Sequence, residues 1–161
     1  MTTNFPDLLR VLSQARVEFV IVGGAAAIAH GSATLTQDLD IVYNRDKQNI
    51  ERVVAALAPY SPYLRGAPPG LPFDWSVRTV RNGLNFTLST SLGAIDILGE
   101  ITGGGGYEDL LPHSHHIELY DTKCLCLNLK KLIETKRAAG RPKDLNAIAE
   151  LEALLEESGP A

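Results

Sequence analysis

Residues 19–43 read FVIVGGAAAIAHGSATLTQDLDIVY, and no other stretch restricts the possible fold as tightly. The nearly continuous apolar run Glu18 to Val22 (EFVIV) predicts a central strand covered on both faces. Gly23 and Gly24 end that strand, and the alanine-rich segment from Ala25 to His30 predicts a short helix packed close against a sheet. Gly31 closes the helix, Ser32 to Gln37 is a polar loop, and Leu39 to Tyr43 is a second apolar strand. Asp38 and Asp40 stand at the start of this strand. One residue apart, they share a face, about 6.6 Å apart along the chain at ~3.3 Å per residue. Two carboxylates so placed repel each other unless a cation lies between them, and a divalent ion is the simplest occupant. A glycine turn beside them offers backbone N–H groups to phosphates that the same ion would hold.

With 161 residues, 45% of them hydrophobic, the chain can bury one substantial core. A single domain over 1–161 is expected, with C-terminal helices over 129–157 packed on or beside the sheet. No apolar run approaches the ~20 residues of a membrane span, and MTTNFPDLLR places an acid and a proline where a signal peptide needs apolar residues. A cytoplasmic protein without a membrane partner is therefore expected. Cys124 and Cys126 lie at i and i+2, which is neither a disulfide framework nor the C-x-x-C spacing of a redox or zinc site. Both are read as buried thiols.

A net charge of -4 argues against a protein that coats itself with nucleic acid. The cations are nevertheless concentrated. Lys130, Lys131, Lys136, Arg137, Arg141 and Lys143 crowd into one short segment, and such a patch facing an acidic metal site suits a triphosphate.

Elsewhere, Phe5, Leu8, Leu9, Leu12 and Ala15 form one apolar stripe of a helix. A helix is expected from Lys47 to Ala58, and the five prolines of Pro59 to Pro72 predict an irregular surface loop. Asp74 is the expected N-cap of a short helix ending near Gly83, with Leu84 on its inner side. Leu84 to Thr90 and Ala94 to Leu98 alternate as the two arms of a hairpin, and in the second arm Asp96 faces away from Ile95 and Ile97. An ionised aspartate within an apolar strand is costly unless it is paired or holds a metal, so Asp96 is the third acid expected at the site. Gly103 to Gly106 is expected to hold no regular structure. His113, His115 and His116 lack the spacing of a metal site and are assigned none. Lys123 to Leu127 is an expected edge strand, Asn128 the cap of a helix over Leu129 to Ala139, and Pro142 the start of a last helix. Leu145, Ile148, Leu151, Leu154 and Leu155 form its expected apolar face, and the tail ESGPA is expected to fray.

These parts have complementary roles in phosphoryl transfer. In a two-metal mechanism, paired ions stabilise the attacking and leaving oxygens of an in-line displacement. Asp38, Asp40 and Asp96 are the candidate metal ligands and catalytic acids, with Asp96 placed to draw the proton from the attacking hydroxyl. Backbone N–H groups of Gly23 and Gly24, with Ser32 or Thr36, would hold phosphates, and Lys136, Arg141 or Lys143 would neutralise the leaving pyrophosphate.

An apolar residue, Gly-Gly, thirteen residues and then Asp-Leu-Asp-Ile resembles the signature of nucleotidyltransferases of the DNA polymerase beta superfamily. The run KRAAGRPKDL is similar to the C-terminal motif of the toxin-like AbiEii branch, where Lys136, Lys143 and Asp144 match. The resemblance implies an α/β (α+β) fold with a mixed, mainly antiparallel sheet flanked by helices. It further implies Mg²⁺ (or Mn²⁺), an NTP substrate, and transfer of a nucleoside monophosphate to a hydroxyl of RNA such as a tRNA end, of protein or of a small molecule. A toxin-antitoxin or defence role, with a cognate antitoxin or toxin as partner, follows from the same likeness. Relatives often carry an arginine in the loop before the acids, whereas Ser32, Ala33 and Thr34 are uncharged. The alternatives are a catalytically weak nucleotide-binding or partner-binding module of the same fold and a glycosyltransferase using its own D-x-D. A dinucleotide oxidoreductase would need G-x-G-x-x-G, which GGAAAIAHG does not supply.

Overall fold

The computed structural model describes residues 2–158. In chain order the helices and strands are α1 (Phe5–Gln14), β1 (Phe19–Val22), α2 (Gly23–Ala29), β2 (Asp38–Tyr43), α3 (Lys47–Leu57), β3 (Tyr63–Leu64), α4 (Val77–Asn82), β4 (Phe86–Thr90), β5 (Gly93–Leu98), β6 (Glu100–Ile101), β7 (Gly105–Gly106), α5 (Tyr107–Leu110), β8 (Ser114–Leu119), β9 (Thr122–Leu127), α6 (Leu129–Ala139) and α7 (Pro142–Glu157). Seven strands form one sheet in the order β3-β4-β5-β2-β1-β9-β8, and β6 with β7 makes a small separate pair. The β1–β9 and β2–β5 neighbours run parallel, and the others are antiparallel. The sheet is thus mixed and mainly antiparallel.

Local sequence explains the elements that set this frame. Asn4 caps α1 by accepting the Asp7 N–H, and Leu8, Leu9 and Leu12 bury its inner face. Strand β1 is buried throughout, as its continuous apolar run requires. In β5, Ile95 and Ile97 are fully buried while Ala94, Asp96 and Leu98 turn to the other, half-buried face. Asn128 caps α6 through the Lys131 N–H, and Gly140 ends it in the left-handed conformation. The apolar side chains of sheet and helices merge into one core around Tyr43, Leu39, Ile41 and Ile21.

The register places the chemistry. Asp40 lies opposite Asp96 on β5 and opposite Val22, the residue before the glycine pair, on β1. Three features far apart in the chain therefore meet at one level of three adjacent central strands.

Several local expectations give way. Residues 59–72 are not wholly irregular, because Tyr63 and Leu64 pair with Ser89 and Leu88 to extend the sheet. Ser76, not Asp74, caps α4, and Leu84 is 38% exposed instead of facing inward. Gly105 and Gly106 pair with Ile101 and Glu100, so the four-glycine run contains a strand. The segment Lys123 to Leu127 is interior, because the histidine-bearing β8 forms the edge beyond it. On α7 Leu145 is 53% exposed, and Asp144, Ile148 and Leu151 are the buried residues. Of the tail, Glu157 ends α7 and Ser158 follows it, while 159–161 lie outside the described residues.

Candidate active site

Carboxylate oxygens of Asp38, Asp40 and Asp96 all lie within 4.8 Å of one another. The first two share a face of β2 by strand alternation, and the parallel register with β5 brings in the third. Each partly escapes solvent, and their charges are unequal as a result. Burial, reinforced by the neighbouring Asp38 and Asp96, pushes Asp40 up to about 9. Asp96 is raised as well, first by burial and then by Asp38, with Arg65 opposing. Burial acts to raise Asp38 too, but carboxyl-to-carboxyl hydrogen bonding with Asp40 and Asp96 and the charges of Arg65 and Lys143 outweigh it, leaving Asp38 below the ordinary carboxylate range.

Oδ1 of Asp40 is buried and accepts no hydrogen bond. A buried acceptor without a partner is costly, and a cluster of three acids must hold either a proton or a cation. All-oxygen donors at this separation suit a hard divalent ion, so the residues fit a metal and could hold one.

The glycine pair makes room for its neighbours. Gly23 has φ +63°, and a Cβ there would overlap the Asp40 carboxylate. A Cβ on Gly24 would fall 2.6 Å from Thr36 Oγ1. Thr36 in turn donates from Oγ1 to the Asp38 carbonyl at 3.3 Å, which ties the loop to the strand it precedes. Ser32 donates to Glu150 of α7 at 2.6 Å, and the Ala33 N–H donates to the same carboxylate at 3.0 Å.

Two clefts flank the acids. The first, about 390 Å³, is lined by Gly23, Asp40, Lys136, Arg141 and Asp144 with Leu98 and Leu132 among its apolar walls. Asp144 is buried and organises the cations of this cleft. It accepts from Arg141 Nε at 2.6 Å and lies 4.0 Å from Lys136 Nζ, and despite the opposing effect of burial its carboxyl is held below the ordinary range by Arg141 and Lys136. The second cleft, about 680 Å³, is lined by Asp38, Asp96, Arg65, Lys143, Gln37 and Thr90 among others. The anticipated basic group is thus divided, Lys136 and Arg141 on one side of the acids and Lys143 on the other. Arg137 pairs with Glu152 and Lys131 with Glu134, and neither lines either cleft.

Arg65, which pairs with Asp96, carries no motif. Its one sequence signal is that it is the sole charged residue of 59–72. Its partner on β5 is distant in sequence and becomes a neighbour only through the β3–β4–β5 pairing. The histidines stay apart from the acids: His115 stacks edge-on with His30, ring centroids 5.5 Å apart.

No protein-family model matches the chain, and no curated protein matches it. Its fold does match solved structures. One is the lincosamide antibiotic adenylyltransferase LnuA in its lincomycin-bound form, with a TM-score of 0.62, 16% identity, and coverage of 95% of this chain and 98% of that one. Another is a Thermotoga maritima protein assigned as a nucleotidyltransferase, with a TM-score of 0.51, 17% identity, and 97% of each chain covered. Among the described residues no helix is long and apolar enough to cross a membrane. The chain has the nucleotidyltransferase fold, with three clustered carboxylates at the centre of its sheet that could hold a metal ion.

Proposed function

We propose that this protein is a metal-dependent nucleotidyltransferase that moves a nucleoside monophosphate from an NTP to an acceptor hydroxyl. The observation that carries the reading is the meeting of Asp38, Asp40 and Asp96 between two clefts that each contain cations. Asp38, Asp40 and Asp96 would hold Mg²⁺ or Mn²⁺, which when bound supplies positive charge at the reacting phosphate. Lys136 and Arg141, braced by Asp144, bind the triphosphate and neutralise the departing pyrophosphate, and Gly23 lines the same cleft, while Ser32 is engaged by Glu150 and Thr36 by the Asp38 carbonyl outside it. The acceptor oxygen attacks the α-phosphorus, the bond to the pyrophosphate oxygen breaks, and the hydroxyl proton passes to Asp96.

The AbiEii-like C-terminal run, with Lys136, Lys143 and Asp144, supports a toxin-antitoxin or defence role in the cytoplasm, while the lincosamide acted on by LnuA makes a small molecule an acceptor to test beside tRNA and protein. A binding module that has lost catalysis is the second reading, favoured by one contact: Arg65 covers Asp96, the group that must take the proton. Incubation with α-labelled NTPs, Mg²⁺ or Mn²⁺ and total cellular RNA and protein separates the two. Label transferred by the parent protein and not by Asp40→Asn is the expected result. Absence of both transfer and metal-dependent NTP binding overturns the transferase reading.

A further inference from the structure

The larger cleft has an unusual charge balance. Its lining contains two cations, Arg65 and Lys143, and its carboxylates belong to the metal cluster, Asp38 and Asp96. Arg65 spends its guanidinium on Asp96, and Lys143 has no ion-pair partner among the described residues. With Asp38, Asp40 and Asp96 engaged by a divalent cation, Arg65 and Lys143 would be the two cations of this cleft left to meet a ligand.

Arg65 is held in place and does not trail on a free loop. Its backbone N–H donates to the Thr87 carbonyl at 3.0 Å, continuing the β3–β4 pairing. The loop that follows is pinned by the Tyr63 hydroxyl, which lies 2.6 Å from the Pro68 carbonyl and 2.9 Å from that of Leu71. Lys143 enters the same cleft from the first turn of α7. A planar guanidinium fork and a lysine lining one cleft of about 680 Å³ suit phosphate, which arginine can grip through two parallel N–H···O bonds.

We propose that this cleft is the acceptor site and takes an acceptor that carries a phosphate group close to its reacting hydroxyl, a nucleotide unit, with Arg65 and Lys143 as the phosphate ligands. The inference rests on the transferase reading above and deepens it. An amine-bearing acceptor would meet the like charges of Arg65 and Lys143 and bind poorly.

The test is equilibrium binding with Mg²⁺ and a non-transferable NTP analogue carrying a methylene between the α- and β-phosphorus. The acceptor probes are AMP, a short single-stranded oligoribonucleotide with a free 3′ hydroxyl, and lincomycin, which has hydroxyls and is the ligand in the matched LnuA structure. Arg65→Ala and Lys143→Ala should each weaken the phosphate-bearing probes by about tenfold or more, the value expected for a lost charge-assisted hydrogen bond, and flatten their salt dependence. Both variants should bind the NTP analogue as the parent does, and Arg65→Lys should recover part of the loss. Binding of the oligoribonucleotide alone identifies an RNA end as the source, whereas comparable binding of AMP identifies a free nucleotide. Either result supports the site. Parent-like binding of both probes by both variants, or tight binding of lincomycin but not of either phosphate probe, overturns it and leaves the transferase reading standing. Failure of the parent to bind the NTP analogue overturns both.

Discussion

Gly23 and Asp40 occupy adjoining space so completely that a single methyl group at position 23 would overlap the Asp40 carboxylate. Gly23 opens α2 directly after β1, Asp40 lies within β2, and antiparallel pairing of Val22 with Asp40 brings them together. Spacing between a glycine pair and an acid pair in sequence is therefore a packing requirement in three dimensions. Gly23 also adopts φ +63°, a conformation that side chains disfavour.

Gly23→Ala should consequently act on Asp40 more than on the helix it opens. We expect a loss of about 1–3 kcal/mol in unfolding free energy from the strained backbone together with the overlap. Metal affinity should fall as well, since Asp40 must move aside. Urea denaturation and metal titration of the variant provide the measurement, and parent-like values in both would refute the packing role.

Asp40→Asn should separate stability from function. Burial, with Asp38 and Asp96 beside it, pushes Asp40 up to about 9 from the ordinary 3.8 of an aspartate, so the folded state binds a proton that the unfolded state has released over that interval. Stability linked to this group is complete below about pH 3.8 and is lost as the pH rises toward 9. The difference in unfolding free energy between parent and Asp40→Asn should therefore decline across that window without metal. Added Mg²⁺ or Mn²⁺ should stabilise the parent, by about 2.7 kcal/mol at a hundred times Kd, and leave the variant unchanged. Thermal melts over pH, with and without the ion, decide it.

How much of this could be read in advance depended on the range over which each signal acts. Asp38 and Asp40 announce themselves through strand alternation, and Asp96 through its place in an apolar strand, so local pattern sufficed for all three. Asn128 and Gly140 bounded α6 for the same reason, since capping is chemistry within one turn. Arg65 was hidden because a proline-rich run has no periodicity and its ion pair depends on β3 joining a sheet. The basic run from Lys130 to Lys143 was visible as composition, but its division between two clefts arises from the turn between α6 and α7. Leu145 was misplaced by helical periodicity because the buried Asp144 takes the inward position beside it.

The thiols of Cys124 and Cys126 should be inert in the native protein. Burial pushes them up to about 11 and about 12, the second also by the first, and both side chains are buried in β9. A thiol must ionise to react, so alkylation by iodoacetamide at pH 8 should be negligible in buffer and complete at both positions in denaturant. Rapid labelling of either cysteine in the folded protein would contradict this burial.

Asp144→Asn should reveal the opposite pH signature and a different functional loss. Against the raising effect of burial, Arg141 and Lys136 hold the Asp144 carboxyl below its ordinary 3.8, so its contribution to stability is present above that value and is lost as the pH falls through the lower folded one. The stability gap between parent and variant should be constant near neutrality and close only below about pH 3.8. At neutral pH the variant leaves Arg141 and Lys136 without their shared buried anion, which we expect to cost about 1–3 kcal/mol. The same change should weaken NTP binding by several-fold while acceptor binding in the other cleft is unaffected, because Asp144 lines only the first of the two. Parallel titrations with the NTP analogue and the oligoribonucleotide test that asymmetry, and equal weakening of both ligands would show that the two clefts do not act as separate donor and acceptor sites.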